Sequence, residues 1–194
     1  MDGDSTIKPI YLILGESGSG KTTIVNELCK HYHFKQLESY TTRPPRYHGE
    51  EGHIFISPDS YETYDDLRRK YPSRIAETMF DGHFYFATQE QLDVADFYVL
   101  DVAGLRILNE RCFNPERIRV VRITAPAFTR FFRMLKRGDS ICSAVRRLRH
   151  DNAVFASFTD DIADFTIENI HLSDSIDDLL GYIISQEESH YEKS

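Results

Sequence analysis

A glycine-rich octapeptide between an apolar run and a helical pattern constrains this chain more than any other feature. Residues Gly15–Thr22 fit the pattern G-x-x-x-x-G-K-[ST] at every fixed position. The preceding run, Ile10–Leu14, lacks alternation, which is typical of a strand buried on both faces. The segment from Thr22 to about His31 predicts a helix with an apolar side. This order of strand, loop and helix predicts a loop that binds phosphate groups.

The residue types of this loop suit the phosphates of a nucleotide. Its glycines let backbone N–H groups approach phosphate oxygens, and the helix N-terminus adds partial positive charge. Lys21 would reach the β- and γ-phosphates, and the Thr22 hydroxyl would ligate Mg²⁺. An ordinary glycine-rich turn is the alternative. The predicted ATP-binding residues of the loop are Gly15, Ser17, Gly18, Ser19, Gly20, Lys21, Thr22 and Thr23.

A second ligand for the metal ion is expected at the end of another apolar run. Phe97–Leu100 is typical of a buried strand, and Asp101 follows it. In an open parallel sheet, the carboxyl ends of the strands line the ligand crevice. We therefore predict that Asp101 holds Mg²⁺, directly or through water. The alternative is an aspartate that caps a helix or a turn.

The remaining elements predict an α/β fold. Strand patterns at Val120–Ile123 and Phe165–Ile167 alternate with helical patterns, which implies crossovers and a mostly parallel sheet. The expected helices run from Ala125-Pro126 to about Arg137, from about Ile141 to Phe158, and from about Ser175 to Gln186. We expect a three-layer P-loop fold with a core sheet of about five strands. The chain is predicted to be a single domain, 1–194, with a core (1–38 and 96–194), an insertion (39–95) and a short lid (about 137–147).

The insertion breaks the alternation of strands and helices, and it predicts a small mixed α/β unit. Asp81-Gly82 between two strand patterns favours a tight two-residue hairpin turn. Thr88, with Gln91 three residues later, predicts a capping box for a helix. The expected elements are a proline-rich basic loop (Thr42–Arg46), a strand (Ile54–Ile56), a helix after Ser57-Pro58, and a hairpin (Ile75–Met79 and His83–Ala87).

Composition limits the partners and the location of the chain. Of its 194 residues, 41% are hydrophobic and 28% are charged, which excludes a disordered chain. The formal net charge of -8 argues against broad binding of nucleic acid or acidic membranes. No apolar run approaches the roughly 18 residues of a membrane helix, and the acidic N-terminus is unlike a signal peptide. The three scattered cysteines indicate free thiols in a reducing compartment. We expect a cytoplasmic monomer or homodimer whose partners are small nucleotides.

One further motif resembles the signature of a known family. Ser39–Arg46 has the sequence S-Y-T-T-R-P-P-R and resembles S-x-T-T-R-x-P-R, the monophosphate-binding signature of guanylate kinases. Gly49-Glu50 and Gly52 resemble its continuation, and the resemblance runs in order from Ile10 to about Asn169. It implies a nucleoside monophosphate kinase with ATP as the phosphoryl donor, Mg²⁺, and a guanine nucleotide as the acceptor.

The resemblance also implies an acceptor site. Arg43 and Arg46 would hold the acceptor phosphate with Ser39, since arginine forks bind phosphate bidentately, and Glu50 would organise that site. Glu77 would recognise the guanine edge, and the alternative for it is an exposed strand carboxylate. The full set implied for the acceptor nucleotide is Ser39, Arg43, Arg46, Glu50, Glu77, Tyr85 and Thr88.

A lid is implied in the same way. Arg133–Gly138 resembles the family's R-L-x-x-R-G at the start of the lid, and Arg147-Leu148 resembles the R-L that follows it. These arginines would close over the transferring phosphoryl group. Asn169 resembles an asparagine near the ATP base. The implied catalytic set is Lys21, Arg43, Arg133, Arg137 and Arg147.

The chain departs from the family pattern at four places, and these leave the acceptor base open. His53 stands where a phosphate-binding tyrosine is usual, and it either substitutes for that tyrosine or is simply a loop histidine. Phe86 replaces a second such tyrosine, unless neighbouring Tyr85 takes its place. Ala103 removes a carboxylate usually close to the guanine. The segment between Arg137 and Arg147 is short, which predicts a reduced lid.

Three functions therefore remain open. The leading one is transfer of the γ-phosphoryl group of ATP to GMP or dGMP. The second is the same transfer to another nucleoside monophosphate. The third is a non-catalytic module that binds a phosphorylated peptide, which the intact Gly20-Lys21-Thr22 disfavours.

Overall fold

The computed structural model describes residues 8–111, 115–156 and 162–191. Within these residues the chain forms eight strands and seven α-helices. The strands are β1 (Ile10–Leu14), β2 (Ser39–Thr41), β3 (His53–Phe55), β4 (Arg74–Phe80), β5 (His83–Thr88), β6 (Phe97–Val99), β7 (Ile118–Thr124) and β8 (Phe165–Glu168). The helices are α1 (Lys21–Tyr32), α2 (Tyr64–Lys70), α3 (Gln89–Val94), α4 (Val102–Arg111), α5 (Ala127–Lys136), α6 (Ile141–Phe155) and α7 (Leu172–Tyr191).

The first sheet is parallel and has the strand order β6-β1-β7-β8, which confirms the predicted α/β class. Every residue of β1 is buried, as its uninterrupted apolar sequence predicts. The expected fifth strand is reduced, among the described residues, to an isolated parallel bridge between Gln36 and Phe97. The reason is that the chain pairs with β6 only briefly before it enters β2 of the second sheet at Ser39.

The second sheet is mixed and has the order β3-β2-β5-β4. Strand β2 pairs in parallel with β3 and antiparallel with β5, and β4 and β5 form the predicted hairpin. Asp81 and Gly82 at its turn have φ angles of 52° and 78°. Two successive positive φ angles define the tight turn that Asp-Gly favours. The capping box of Thr88 and Gln91 is also present at the start of α3.

The two faces of the second sheet differ in chemistry. On one, the covered face, Tyr40 stacks on Phe86 with ring centroids 4.9 Å apart, and Phe84 and Leu67 of α2 complete a buried cluster. The other, the polar face, carries side chains from all four strands of the sheet. Because residues directly opposite each other on paired strands share a face, the register places there Ser39, Thr41, His53, Tyr85 and Thr78.

The helices follow the predicted pattern with shifted ends. Helix α1 buries Ile24, Val25 and Leu28. Pro126 precedes α5, as a proline at a helix start should. Helix α6 ends at Phe155, and the predicted end at Phe158 lies outside the described residues. Helix α7 is longer than predicted, and α4 and β2 were not predicted.

The contacts divide the chain into two compact units. The first contains the chain up to Leu12 and residues 35–119, and the second contains residues 13–34 and the chain from Val120 onward. The predicted insertion lies in the first unit, and the glycine-rich loop and the lid segment lie in the second. The single-domain organisation stays a prediction. In the described parts of the chain, no helix has the length and apolar character needed to span a bilayer.

Candidate functional site

The glycine-rich loop of the second unit has the backbone that a phosphate cradle needs. Gly15, Gly18 and Gly20 have φ angles of 146°, 77° and 101°. A Cβ at Gly20 would lie 2.2 Å from Nδ2 of Asn169, so only glycine fits there. No side chain of the described residues caps the first turn of α1. The first N–H groups of a helix lack partners within it, so those of α1 suit the oxygens of a phosphate.

Lys21 lies against this loop. Its Nζ donates to the carbonyl oxygens of Gly15 (2.7 Å) and Glu16 (2.9 Å). Burial lowers the pKa of Lys21 to about 8, although the carboxylates of Asp151 and Glu16 act to raise it. Lys21 is therefore protonated at pH 7 and loses its charge as the pH rises through about 8. Its two neighbours Thr22 and Thr23 are exposed.

Arg133 and Asn169 flank the loop from α5 and from the end of β8. Nη1 of Arg133 and Nδ2 of Asn169 both donate to the carbonyl oxygen of Ser19, at 3.2 and 2.7 Å. Asn169 is buried, and its Oδ1 accepts from the hydroxyl of Ser175. Burial lowers the pKa of Arg133. The structure thus brings both predicted residues to the loop, where they support its backbone.

The predicted lid is a four-residue turn, Arg137–Ser140, between α5 and α6. Nε of Arg137 donates to Asp139 at 2.6 Å, and Nε of Arg147 lies 3.8 Å from the same carboxylate. The charge of Arg137 also lowers the pKa of Lys21, so that these two cations are electrostatically coupled. Lys21, Arg133 and Arg137 therefore belong to one basic cluster in the second unit.

In the first unit, Glu50 binds both of the predicted phosphate-binding arginines. Its carboxylate accepts from both Nη atoms of Arg43 (3.1 and 2.7 Å), and from the backbone N–H (2.6 Å) and Nη1 (3.0 Å) of Arg46. Burial alone would raise the pKa of Glu50, but the hydrogen bonds from Arg43 and Arg46 lower it. Glu50 is therefore ionised at neutral pH and aligns both guanidinium groups.

Arg43 retains capacity for a ligand. Burial alone would lower its pKa, but Glu50 and Tyr85 raise it above the usual value, so the group stays charged. Its Nε is buried and has no hydrogen-bond partner within the described chain. A buried N–H donor without a partner costs free energy, and a phosphate oxygen would satisfy it. This donor is the observation that best fits an anion at this place.

His53 completes this cluster on the polar face. Its Nδ1 and the hydroxyl of Ser39 are 2.9 Å apart, and its ring lies 5.8 Å from that of Tyr85. Burial lowers the pKa of His53 to about 4, and the charge of Arg43 contributes. His53 is therefore neutral at pH 7. The sequence marked His53 only as a departure from the family pattern, and its place at the position of a phosphate-binding tyrosine was the available signal.

Glu77 and Thr88 lie away from this cluster. Glu77 is opposite Phe86 in the hairpin, on the covered face. Its Oε2 accepts from Nε of Arg74 (2.9 Å) and lies 3.7 Å from Nε of Arg68 in α2. Thr88 is two residues beyond Phe86 and points to the same face. The structure therefore brings Ser39, Arg43, Arg46, Glu50 and Tyr85 together but separates Glu77 and Thr88 from them.

Asp101 makes the hydrogen bonds of a helix cap. Its Oδ1 accepts from the N–H of Gly104 (2.7 Å), and its Oδ2 accepts from the hydroxyl of Thr78 (3.3 Å). The side chain is nevertheless exposed, and carboxylate and hydroxyl oxygens such as those of Asp101 and Thr22 are the donors that Mg²⁺ prefers. In the described residues no group of three or more His, Cys, Asp or Glu suits a metal ion. A magnesium ion that is bound with nucleotide phosphates needs only one or two protein ligands.

The fold and the glycine-rich loop define the class: a P-loop protein of α/β architecture. No protein-family model matches the chain. The chain is 27% identical over 188 residues to a guanylate kinase from Thermotoga maritima, and the match covers 91% of this chain and 86% of that protein.

Two crystal structures share the fold. A guanylate kinase from Anaplasma phagocytophilum superposes with a TM-score of 0.65 at 15% identity, over 94% of this chain and 87% of its own. A Janibacter sugar kinase reaches a TM-score of 0.51 at 14% identity, over 91% and 94%. The chain is thus similar in sequence to one guanylate kinase and in fold to another, in agreement with the resemblance of its motifs.

Proposed function

We propose that the chain is an ATP-dependent nucleoside monophosphate kinase of guanylate-kinase type, which transfers the γ-phosphoryl group of ATP to GMP or dGMP in the cytoplasm. The observation that carries the proposal is the pair of arginines held by Glu50. With it goes the buried Nε of Arg43, for which the described part of the chain offers no hydrogen-bond partner. A P-loop alone indicates only a nucleotide-binding protein, whereas this second anion site suits the phosphate of an acceptor.

The proposed mechanism needs no general base. A monophosphate is an anionic nucleophile near pH 7, so the obstacle is to align two polyanions and to stabilise charge on the γ-phosphoryl oxygens. Lys21 and the lid arginines would stabilise this charge from the donor side, and Arg43 and Arg46 from the acceptor side. Thr22 and Asp101 would hold Mg²⁺, which supplies positive charge to the nucleotide phosphates when it is bound. Closure of the insertion and the lid would exclude water from the reacting phosphates, and this would suppress hydrolysis of ATP.

The donor side would be held by the loop together with its flanking residues. The N–H groups at the start of α1 would bind the phosphates, and Arg133 and Asn169 would keep the carbonyl of Ser19 turned away from them. The expected place of Asn169 near the ATP base stays a prediction, since its amide is engaged with the loop.

A second candidate is transfer to a different nucleoside monophosphate. Glu77 is engaged by Arg74 and Arg68 on the covered face, whereas the phosphate-binding residues extend onto the polar face. The polar face offers instead Thr78 and Asp101 beyond Tyr85. This arrangement favours an acceptor whose base is not recognised by Glu77 and Thr88.

One experiment separates these candidates. The pure protein is incubated with ATP, Mg²⁺ and each ribo- and deoxynucleoside monophosphate in turn, and the release of ADP is measured. Turnover with GMP or dGMP alone supports the first candidate, and turnover with another base supports the second. If no monophosphate stimulates ADP release and the chain binds a phosphorylated peptide, the kinase proposal is wrong and the binding module is correct.

A further inference from the structure

Two charged residues outside every motif bind the backbone of the phosphate-binding loop. Asp151 of α6 accepts from the N–H of Ser17 at 2.8 Å through Oδ2. Arg130 of α5 donates from Nε to the carbonyl oxygen of Ser17 at 3.2 Å, and from Nη2 to Oδ2 of Asp151 at 3.3 Å. The backbone N–H and the carbonyl oxygen of Ser17 are therefore both hydrogen-bonded to this ion pair.

The pair is buried and in direct contact with the loop. Arg130 is 4% exposed and Asp151 is 8% exposed. Arg130 also lies 3.8 Å from Glu16, which Arg122 of β7 contacts at 3.4 Å. A Cβ at Gly18 would be 2.6 Å from the carbonyl oxygen of Arg130, so the loop lies directly on α5. Displacement of the loop would leave buried charges with fewer partners, which is costly.

We propose that Asp151 and Arg130 are positioning residues of the donor site, which hold the phosphate-binding loop in its cradle shape through the backbone of Ser17. This inference rests on the proposed function, because it assumes that the loop binds the phosphates of ATP. Neither residue touches the reacting groups. Their effect reaches the nucleotide through Ser17 and the glycines on either side of it.

The test is the equilibrium affinity for ATP·Mg²⁺, measured by calorimetry without an acceptor. Asp151→Asn keeps the size of the side chain but removes the charge. We expect affinity to fall about tenfold, the loss expected for one charge-assisted hydrogen bond. Asp151→Glu, which keeps the charge and a carboxylate acceptor for the N–H of Ser17, should recover most of the lost affinity. Such a rescue would not follow from a general loss of packing.

Asp164→Asn is the matched control. Asp164 accepts a backbone N–H, that of Val120, at 2.6 Å in the same unit, but its contacts are with β7 and not with the loop. It should leave the affinity unchanged. Wild-type affinity in folded Asp151→Asn would overturn the proposal.

A double variant keeps the test decisive if Asp151→Asn does not fold. Arg130→Met with Asp151→Leu replaces the buried pair with apolar side chains, a change that proteins often tolerate. The proposal requires weaker ATP binding in this folded variant, and undiminished binding would refute it. If wild-type protein binds ATP but phosphorylates no nucleotide, the proposed function fails while this inference stands.

Discussion

Glu77 and Tyr85 point to opposite faces of the second sheet, although the hairpin β4–β5 carries both. Tyr85 shares the polar face with Ser39 and His53, and Glu77 is paired with Arg74 and Arg68 on the covered face. The resemblance to guanylate kinases implies that both residues contact one nucleotide. The sheet register separates them.

We therefore expect Glu77→Gln to leave the preference among acceptor bases unchanged. Its main effect should be on stability, a loss of about 1–3 kcal/mol from a weakened, largely buried ion pair. The measurements are kcat/KM for each monophosphate and the free energy of unfolding in urea. A selective loss of activity with guanine nucleotides would instead return Glu77 to the acceptor site.

Glu50→Gln should weaken acceptor binding. The amide cannot hold two guanidinium groups as a carboxylate does, so KM for the acceptor should rise by about tenfold or more, while KM for ATP stays unchanged. Steady-state kinetics with each substrate varied in turn measures this split. Glu51→Gln is the matched control, because the neighbouring Glu51 is exposed and should be neutral. An equal rise of both KM values in Glu50→Gln would contradict the assignment.

Lys21→Ala should reduce kcat by about a thousandfold or more, because it removes a preorganised positive charge from the phosphoryl group. In the wild-type protein the rate should fall as pH rises through about 8, where Lys21 loses its proton. Lys30→Ala, an exposed change in the same helix, is the control. Near-normal phosphoryl transfer by folded Lys21→Ala would show that the loop does not form the donor site.

His53 should make the protein sensitive to mild acid. Its pKa is about 4 in the folded chain against 6.5 as the ordinary value, so the unfolded chain binds more protons between these limits. The free energy of unfolding should therefore decrease as pH falls from about 6.5 to about 4, by about 2–3 kcal/mol at most. Urea unfolding across this range should show a smaller decrease in His53→Asn than in wild type. His48→Asn, at an exposed histidine, should resemble wild type.

The substitution Asp101→Asn distinguishes two roles of Asp101, that of a metal ligand and that of a helix cap. Asparagine caps helices about as well as aspartate, so the stability should be retained. If Asp101 holds Mg²⁺, the concentration of Mg²⁺ needed for half-maximal transfer should rise, because a charged oxygen ligand is lost. An unchanged Mg²⁺ requirement would leave Asp101 as a cap alone.

Local chemistry made several features predictable. The order of apolar run, glycines and Lys-Thr predicted β1, the loop and α1, because each depends on neighbouring residues only. Asp81-Gly82 predicted its turn and Thr88 its capping box for the same reason. The cluster of Arg43, Arg46 and Glu50 was also within reach, since these residues lie within one short loop.

The sequence by itself therefore determined the P-loop and the parallel α/β fold, because periodicity and turn preferences act over a few residues. Only the tertiary structure decided which face of the second sheet each hairpin residue occupies, because a shift of one residue in strand register reverses every side chain. It also decided that Asp151 holds the loop at Ser17, a contact between residues 134 positions apart. No local pattern specifies such a contact, since it exists only once α6 and the loop are packed in one unit.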